Sequence, residues 1–121
     1  MTGDDLKVRL KIELPGAVRL GYGKVDLLRA VEEHRSISAA ARSMGMSYRR
    51  AWLLIDELNK CFSEPVIETS IGGRAHGGAT LTPTGIRIIE IYQTARDKVQ
   101  DAIKDELDQL AASLAENPQA D

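Results

Sequence analysis

A mainly α-helical domain with a small amount of β-structure is what the sequence predicts, and three observations carry that expectation. Residues 36 to 62, SISAAARSMGMSYRRAWLLIDELNKCF, read as two short helices joined at a glycine. Before them, Val8, Leu10, Ile12 and Leu14 alternate with Arg9, Lys11 and Glu13, the period-two pattern of a half-buried strand. After them, two short alternating stretches flank a glycine-rich loop, and an apolar stripe at helical spacing follows. Together these predict a winged helix-turn-helix with an N-terminal β-hairpin, a Gly-rich β wing and a long C-terminal dimerisation helix.

Each element has a local cause. Pro15-Gly16 turns the first strand, and Ala17–Leu20 returns as its partner. Gly21-Tyr22-Gly23 leads into a helix from about Lys24 to His34, with Val25, Leu27, Leu28 and Val31 facing inward. His34 closes that helix, where a cationic imidazole suits the negative end of the dipole, a structural role. Ser36 and Ser47 are placed to accept bonds from the free N–H groups opening the next two helices. Between those helices, Gly45 supplies the positive-φ residue that ends the first, and Met44 and Met46 pack beneath the turn. Ala40 and Ala41 allow a close crossing, while Ala51, Leu54, Ile55, Leu58 and Phe62 form the inward stripe of the second helix.

The start of that second helix carries the binding chemistry. Ser47, Tyr48, Arg49 and Arg50 occupy its first turn, the part of a docked helix-turn-helix that reaches base edges. Arg pairs with guanine O6 and N7 through two parallel bonds, and Ser and Tyr reach phosphates or bases. From Arg35 through Ile55 the charged residues are Arg35, Arg42, Arg49 and Arg50, with no Asp or Glu. Acids are normally favoured in a helix's first turn, so their absence fits an anionic partner better than a merely solvated helix start. Arg42 joins this set as an expected DNA contact.

Glu64-Pro65 breaks the helix, Val66–Ser70 alternates as a strand and Ala79–Leu81 forms its antiparallel partner. The loop between them, Ile71-Gly72-Gly73-Arg74-Ala75-His76-Gly77-Gly78, has Arg74 and His76 as its ionisable groups. It has the composition of a wing that enters or skirts a minor groove, the plain alternative being a mobile hairpin tip. Gly73 and Gly78 share a P-loop's glycine spacing, but Ala79-Thr80 stands where Lys and Ser or Thr are required and a strand follows, which argues against nucleotide hydrolysis. Neither histidine has a nucleophile or ligand set nearby, so no catalytic residue, metal site or cofactor is expected. The single cysteine, Cys61, excludes an intramolecular disulfide and reads as a small apolar residue.

The formal net charge of −2 over 121 residues looks unsuited to nucleic acid until it is divided along the chain. Residues 1–82 carry twelve Lys or Arg against ten Asp or Glu, and residues 83–121 four against eight. The acidity belongs to the tail, which leaves a local basic face available for phosphates. No run of about 18 apolar residues suggests a membrane span and the polar start is unlike a signal peptide, so a cytoplasmic protein is expected.

Thr82-Pro83 is a strong helix start. A single helix from Pro83 to the neighbourhood of Ala115 would be about 50 Å long, too long for a small domain to cover. Its stripe comprises Ile88, Ile91, Tyr92, Ala95, Val99, Ile103, Leu107, Leu110 and Leu114, and a homodimer seam is its expected use; the alternative is a helix folded back on its own domain. The expected organisation is therefore a winged helix-turn-helix DNA-binding domain at residues 1–82, then a dimerisation helix and frayed tail at residues 83–121.

The order of hairpin, helix, SISAAARSMGMSYRRAW, the wing SIGGRAHGGATLTPTG and a long helix resembles the DNA-binding domain of ModE-type molybdate-responsive transcriptional regulators, and more distantly the LysR-type winged helix. The likeness runs from about Val8 to the final helix, and SYRRAW together with the double-Gly wing is more specific than a generic helix-turn-helix. It implies a dimer reading an inverted-repeat operator in double-stranded DNA, with Tyr48, Arg49 and Arg50 at the recognition turn, Arg74 at the wing, and Gly45 and Ser47 in structural positions. ModE-type regulators append oxyanion-binding domains after the dimer helix; this sequence ends near that point, so no molybdate site is expected in it and a role in molybdenum-related gene control rests on the resemblance. The expectation is a transcriptional regulator, a repressor. The alternative is a winged-helix protein-interaction module with weak DNA binding; a small anion-binding protein using the glycine wing ranks below both.

Overall fold

The computed structural model describes residues 1–70 and 78–115. Arg74 and His76 lie outside the described residues. The chain falls into two compact units, one from Leu10 to Tyr92 and the other made of Met1–Arg9 with the residues from Gln93 onward.

The larger unit begins with an antiparallel hairpin of β1 (Lys11–Leu14) and β2 (Val18–Gly21), pairing Ile12 with Leu20 and Leu14 with Val18. The turn falls where Pro15-Gly16 places it, and both Gly16 (φ 80°) and Ala17 (φ 62°) adopt left-handed backbone. Helices α1 (Tyr22–His34), α2 (Ile37–Ser43) and α3 (Tyr48–Cys61) follow. A second antiparallel hairpin joins β3 (Ile67–Ser70) to β4 (Gly78–Leu81), and Ser70 pairs with Gly78 at its distal end. The strand expected from Val8 starts at Lys11, helix α1 starts two residues early at Tyr22, and Phe62 caps α3 instead of continuing it.

The core of this unit lies among the three helices and the bases of the two hairpins. Val25, Leu27, Leu28 and Val31 of α1, Leu58 of α3 and Val66 are fully buried, as are Ala40 and Ala51 where α2 and α3 approach. The turn between α2 and α3 is a Schellman motif: Met46 N–H donates to Ala41 O (3.0 Å) and Gly45 N–H to Arg42 O (3.1 Å), with Gly45 at φ 67°. Met44 and Met46 both pack against the core, fixing the angle between the helices.

Two polar side chains tie the second hairpin to its neighbours. Asn59 accepts from the N–H groups of Val66 (2.8 Å) and Ile67 (3.3 Å) and donates to Ile67 O (3.4 Å), so the end of α3 holds the start of β3. Thr82, 7% exposed, donates its hydroxyl to Pro65 O (2.6 Å) and accepts from Gly85 N–H (3.0 Å), capping α4 (Pro83–Ala102) as its sequence predicts. Arg35, with φ 53°, caps α1 in the left-handed region, and its carbonyl accepts from Ala79 N–H (3.0 Å), which joins β4 to the end of α1.

Helix α4 runs through the boundary between the units: residues up to Tyr92 belong to the larger one and those from Gln93 to the smaller. In the smaller unit a 3₁₀ turn, Gly3–Asp5, is closed by a capping box between Thr2 and Asp5, and Arg96 Nε donates to Val8 O (3.3 Å).

The single long helix expected from Pro83 to about Ala115 is instead two, α4 and α5 (Lys104–Ser113). Ile103 leaves helical geometry (φ −106°, ψ 19°), and Asp105 and Glu106 fall in the first turn of the restarted helix, where its dipole favours acids. The restart is reinforced from the N-terminus: α5 buries Leu107 and Ala111, and Gly3 N–H donates to Asp108 Oδ1 (2.9 Å). Gly3 is packed so closely to Leu107 and Asp108 that a Cβ has no room there. The composition of the stripe gives no sign of this break, because neither Pro nor Gly marks it.

Candidate nucleic-acid interface

Helix α3 is presented by its two caps. Ser47 Oγ accepts from Arg50 N–H (3.1 Å), and Ser36 does the same for α2 through Ala39 N–H (3.1 Å). A side-chain cap satisfies one of the free N–H groups at a helix start and leaves the others directed outward, toward any anion that approaches. Ser47, Tyr48, Arg49 and Arg50 are all exposed, and Arg42 is exposed in the last turn of α2. Among the described residues, none of Arg42, Arg49 and Arg50 forms an ion pair. Their charge is therefore uncommitted within the fold.

The acids that α3 does carry are compensated locally. Asp56 Oδ2 lies 2.8 Å from Lys60 Nζ, one turn on, and this hydrogen bond and the attraction of the carboxylate raise the lysine's pKa above its ordinary value. Glu57 is paired with Lys24 of α1 at 3.3 Å. The first two turns of the helix thus present an acid-free surface, and the third turn's carboxylates are each faced by a cation.

The face opposite the core shows more than the sequence reading assigns. Ala51, Ile55 and Leu58 are buried, which at about 100° per residue directs Arg49 and Leu53, one turn apart, away from the core, with Trp52 on one flank and Arg50 on the other. Trp52 is 45% exposed and Leu53 46%, a substantial apolar surface beside the exposed Tyr48. Neither falls on the stripe through Ala51, Leu54, Ile55 and Leu58, and that periodicity was the signal from which their exposure is readable.

The expected seam residues take several positions. Tyr92 is buried in the larger unit, where its hydroxyl donates to Leu10 O (2.7 Å), and Ile88 packs against the same core. Leu107 is buried in the smaller unit, while Ala95, Val99 and Ile103 are half-buried. Ile91 (47%), Leu110 (57%) and Leu114 (43%) are the exposed members. Among the described residues no cluster of His, Cys, Asp or Glu has the makings of a metal site, and no helix is long and apolar enough to cross a membrane.

Residues 23–86, from the first turn of α1 to the first turn of α4, match the model of the bacterial regulatory helix-turn-helix protein family of the lysR type. The chain belongs to that family. The matched span contains α1–α3 and the second hairpin, so the lysR-type domain is the larger unit without its first hairpin and the last residues before Tyr92. The chain is also similar to the molybdenum-pterin-binding protein MopB of Rhodobacter capsulatus, 44% identical over 81 residues that make up 67% of this chain and 30% of that protein. It is 34% identical to the molybdenum transport protein ModE of Azotobacter vinelandii over 116 residues, 96% of this chain and 42% of that one. It is 32% identical to the DNA-binding transcriptional dual regulator ModE of Escherichia coli over 99 residues, 76% of this chain and 38% of that one. The chain therefore spans between about a third and two fifths of the length of these relatives. This lysR-type domain is a winged helix-turn-helix related to those of the ModE regulators.

Proposed function

We propose that the chain acts as a dimeric, sequence-specific transcriptional repressor in the cytoplasm, binding an inverted-repeat operator through Ser47, Tyr48, Arg49, Arg50 and Arg42, with Arg74 and His76 contributing from the wing. The observation that carries this reading is the capped, exposed and acid-free first turn of α3, whose arginines no acid in the described fold neutralises. Arginines fully engaged in intramolecular pairs would have to surrender those pairs to bind phosphate or guanine; these do not. A role in molybdenum-related gene control is supported by relatives named for molybdenum binding, molybdenum transport and transcriptional regulation.

Titration of genomic DNA fragments at several salt concentrations tests the DNA reading. A subset of fragments is expected to bind tightly, with affinity falling by roughly a thousandfold between 50 and 200 mM salt if each dimer neutralises about six phosphates. Uniform weak binding to every fragment would overturn sequence-specific regulation and favour a protein-interaction module. The genes beside the recovered fragments test the molybdenum association.

The proposed dimer is supported by exposed apolar surface that association would remove from water, at Ile91 in the larger unit and, separately, at Leu110 and Leu114 in the smaller one. Sedimentation of the full chain is expected to report a dimer, and Ile91→Glu to shift it toward monomer without unfolding it, since this side chain is half in solvent already. A monomeric wild-type chain at tens of micromolar, or an undisturbed dimer in the variant, would remove Ile91 from the seam.

A further inference from the structure

Trp52 and Leu53 are exposed on α3 together with Tyr48, and Leu53 lies on the same outward part of the helix as Arg49, with Trp52 toward one flank. Their surroundings set the chemistry of what covers them. Arg49 and Arg50 in the first turn of α3 and Arg42 in the last turn of α2 are exposed and carry no ion pair among the described residues, so the patch is bordered by positive charge on the side of the helix start, while Asp56, one turn beyond Trp52, is paired with Lys60. A partner for it must be anionic at its rim and apolar at points within. The major groove of DNA meets both conditions, because its phosphates line the edges while each thymine projects a C5-methyl group from its floor. An acidic protein surface would meet the first condition; failure to select any DNA fragment would favour it.

We infer that Leu53, flanked by Trp52, reads thymine C5-methyl groups in the major groove, next to the base contacted by Arg49. The inference deepens the DNA-binding reading and rests on it. Arg49 opens α3 and Leu53 follows one turn later, about 6 Å along the axis. That rise is close to two base-pair steps, so a helix that brings Arg49 to a guanine edge carries Leu53 to bases one or two steps away. An apolar side chain there has little to gain from a cytosine or guanine edge and buries surface against a methyl. The specificity is thus divided: hydrogen bonds choose the guanine, and methyl contact chooses the neighbouring thymine.

The test compares a selected operator fragment with the same fragment in which thymine is replaced by uracil, which preserves base pairing and removes only the C5-methyl groups. Wild type is expected to bind the uracil fragment roughly fourfold more weakly for each methyl it buries. Leu53→Ala is expected to bind thymine and uracil fragments alike, with Trp52→Ala reducing the difference in part; circular dichroism confirms that these exposed positions leave the fold intact. Equal wild-type affinity for the two fragments would overturn the inference while leaving sequence-specific binding standing. A uracil penalty that persists in both variants would overturn it too, since the methyls would then act through DNA shape. If the wild type selects no fragment at all, the DNA reading itself fails, an outcome distinct from both.

Discussion

Gly85→Ala is expected to destabilise the protein by about 2 kcal/mol or more and to lower its melting temperature by roughly 10 °C. The first turn of α4 lies directly against Val66, the residue before β3: a Cβ on Gly85 would collide with Val66 O, and would stand 3.1 Å from both Val66 C and Leu81 Cδ2. Leu81 can shift its side chain, whereas the Val66 carbonyl cannot readily move. That oxygen accepts from Thr82 N–H (3.0 Å), and the Val66 N–H on the same residue donates to Asn59 (2.8 Å). Relieving the collision therefore breaks the Thr82 N–H bond that ties the start of α4 to Val66, or the Asn59 clamp at the end of α3. In an open helical position alanine would gain up to about 1 kcal/mol over glycine, so the sign of the effect isolates the close approach. Gly23, in α1, is the control: no atom lies within 4 Å of its would-be Cβ and its φ is ordinary, so Gly23→Ala should melt at or slightly above the wild-type temperature. Thermal melts of the two variants side by side decide the matter, and a Gly85→Ala protein as stable as Gly23→Ala would show that α4 does not dock on Val66.

The difference between those glycines marks where the sequence stopped being informative. Gly45 was legible because a positive-φ residue between two serine-capped helices has one local explanation, and the Schellman bonds around it are local too. Ser36, Ser47 and Thr82 were legible for the same reason, each bonding an N–H three residues ahead. The requirement at Gly85 comes from a carbonyl 19 residues away along the chain, and no local pattern announces it. Asn59 is similar, its partners lying seven and eight residues on across a turn. The break at Ile103 and the burial of Leu107 depend on the N-terminal 3₁₀ turn, which a stripe of apolar residues read by itself treats as absent. At the interface, the arginines were found because charge and position within the helix are both sequence properties. Trp52 and Leu53 went unassigned because an apolar residue is read by default as core, although the spacing that placed Ala51, Ile55 and Leu58 inside already put these two outside.

The same spacing ranks the two adjacent arginines for DNA binding. Arg49 lies opposite the buried face defined by Ala51, Ile55 and Leu58, while Arg50, one residue on, is turned to the flank of the helix. A helix seated in the major groove directs its outermost face to the bases and its flanks to the backbones on either side. Arg49→Ala is accordingly expected to cost about 1 to 3 kcal/mol on the cognate operator, with a much smaller loss on random DNA, as removal of a bidentate guanine contact would. Arg50→Ala and Arg42→Ala are expected to weaken cognate and random DNA by similar factors and to reduce the slope of log affinity against log salt by about one unit each, the mark of a lost phosphate contact. Arg49→Lys sharpens the distinction: lysine keeps the charge but loses the planar fork, so the salt slope should hold while cognate affinity falls. Competition titrations of the four variants at two salt concentrations provide every number required. Equal losses on cognate and random DNA for Arg49→Ala, or a full recovery in Arg49→Lys, would place Arg49 on a phosphate and leave base reading to other residues of the same turn.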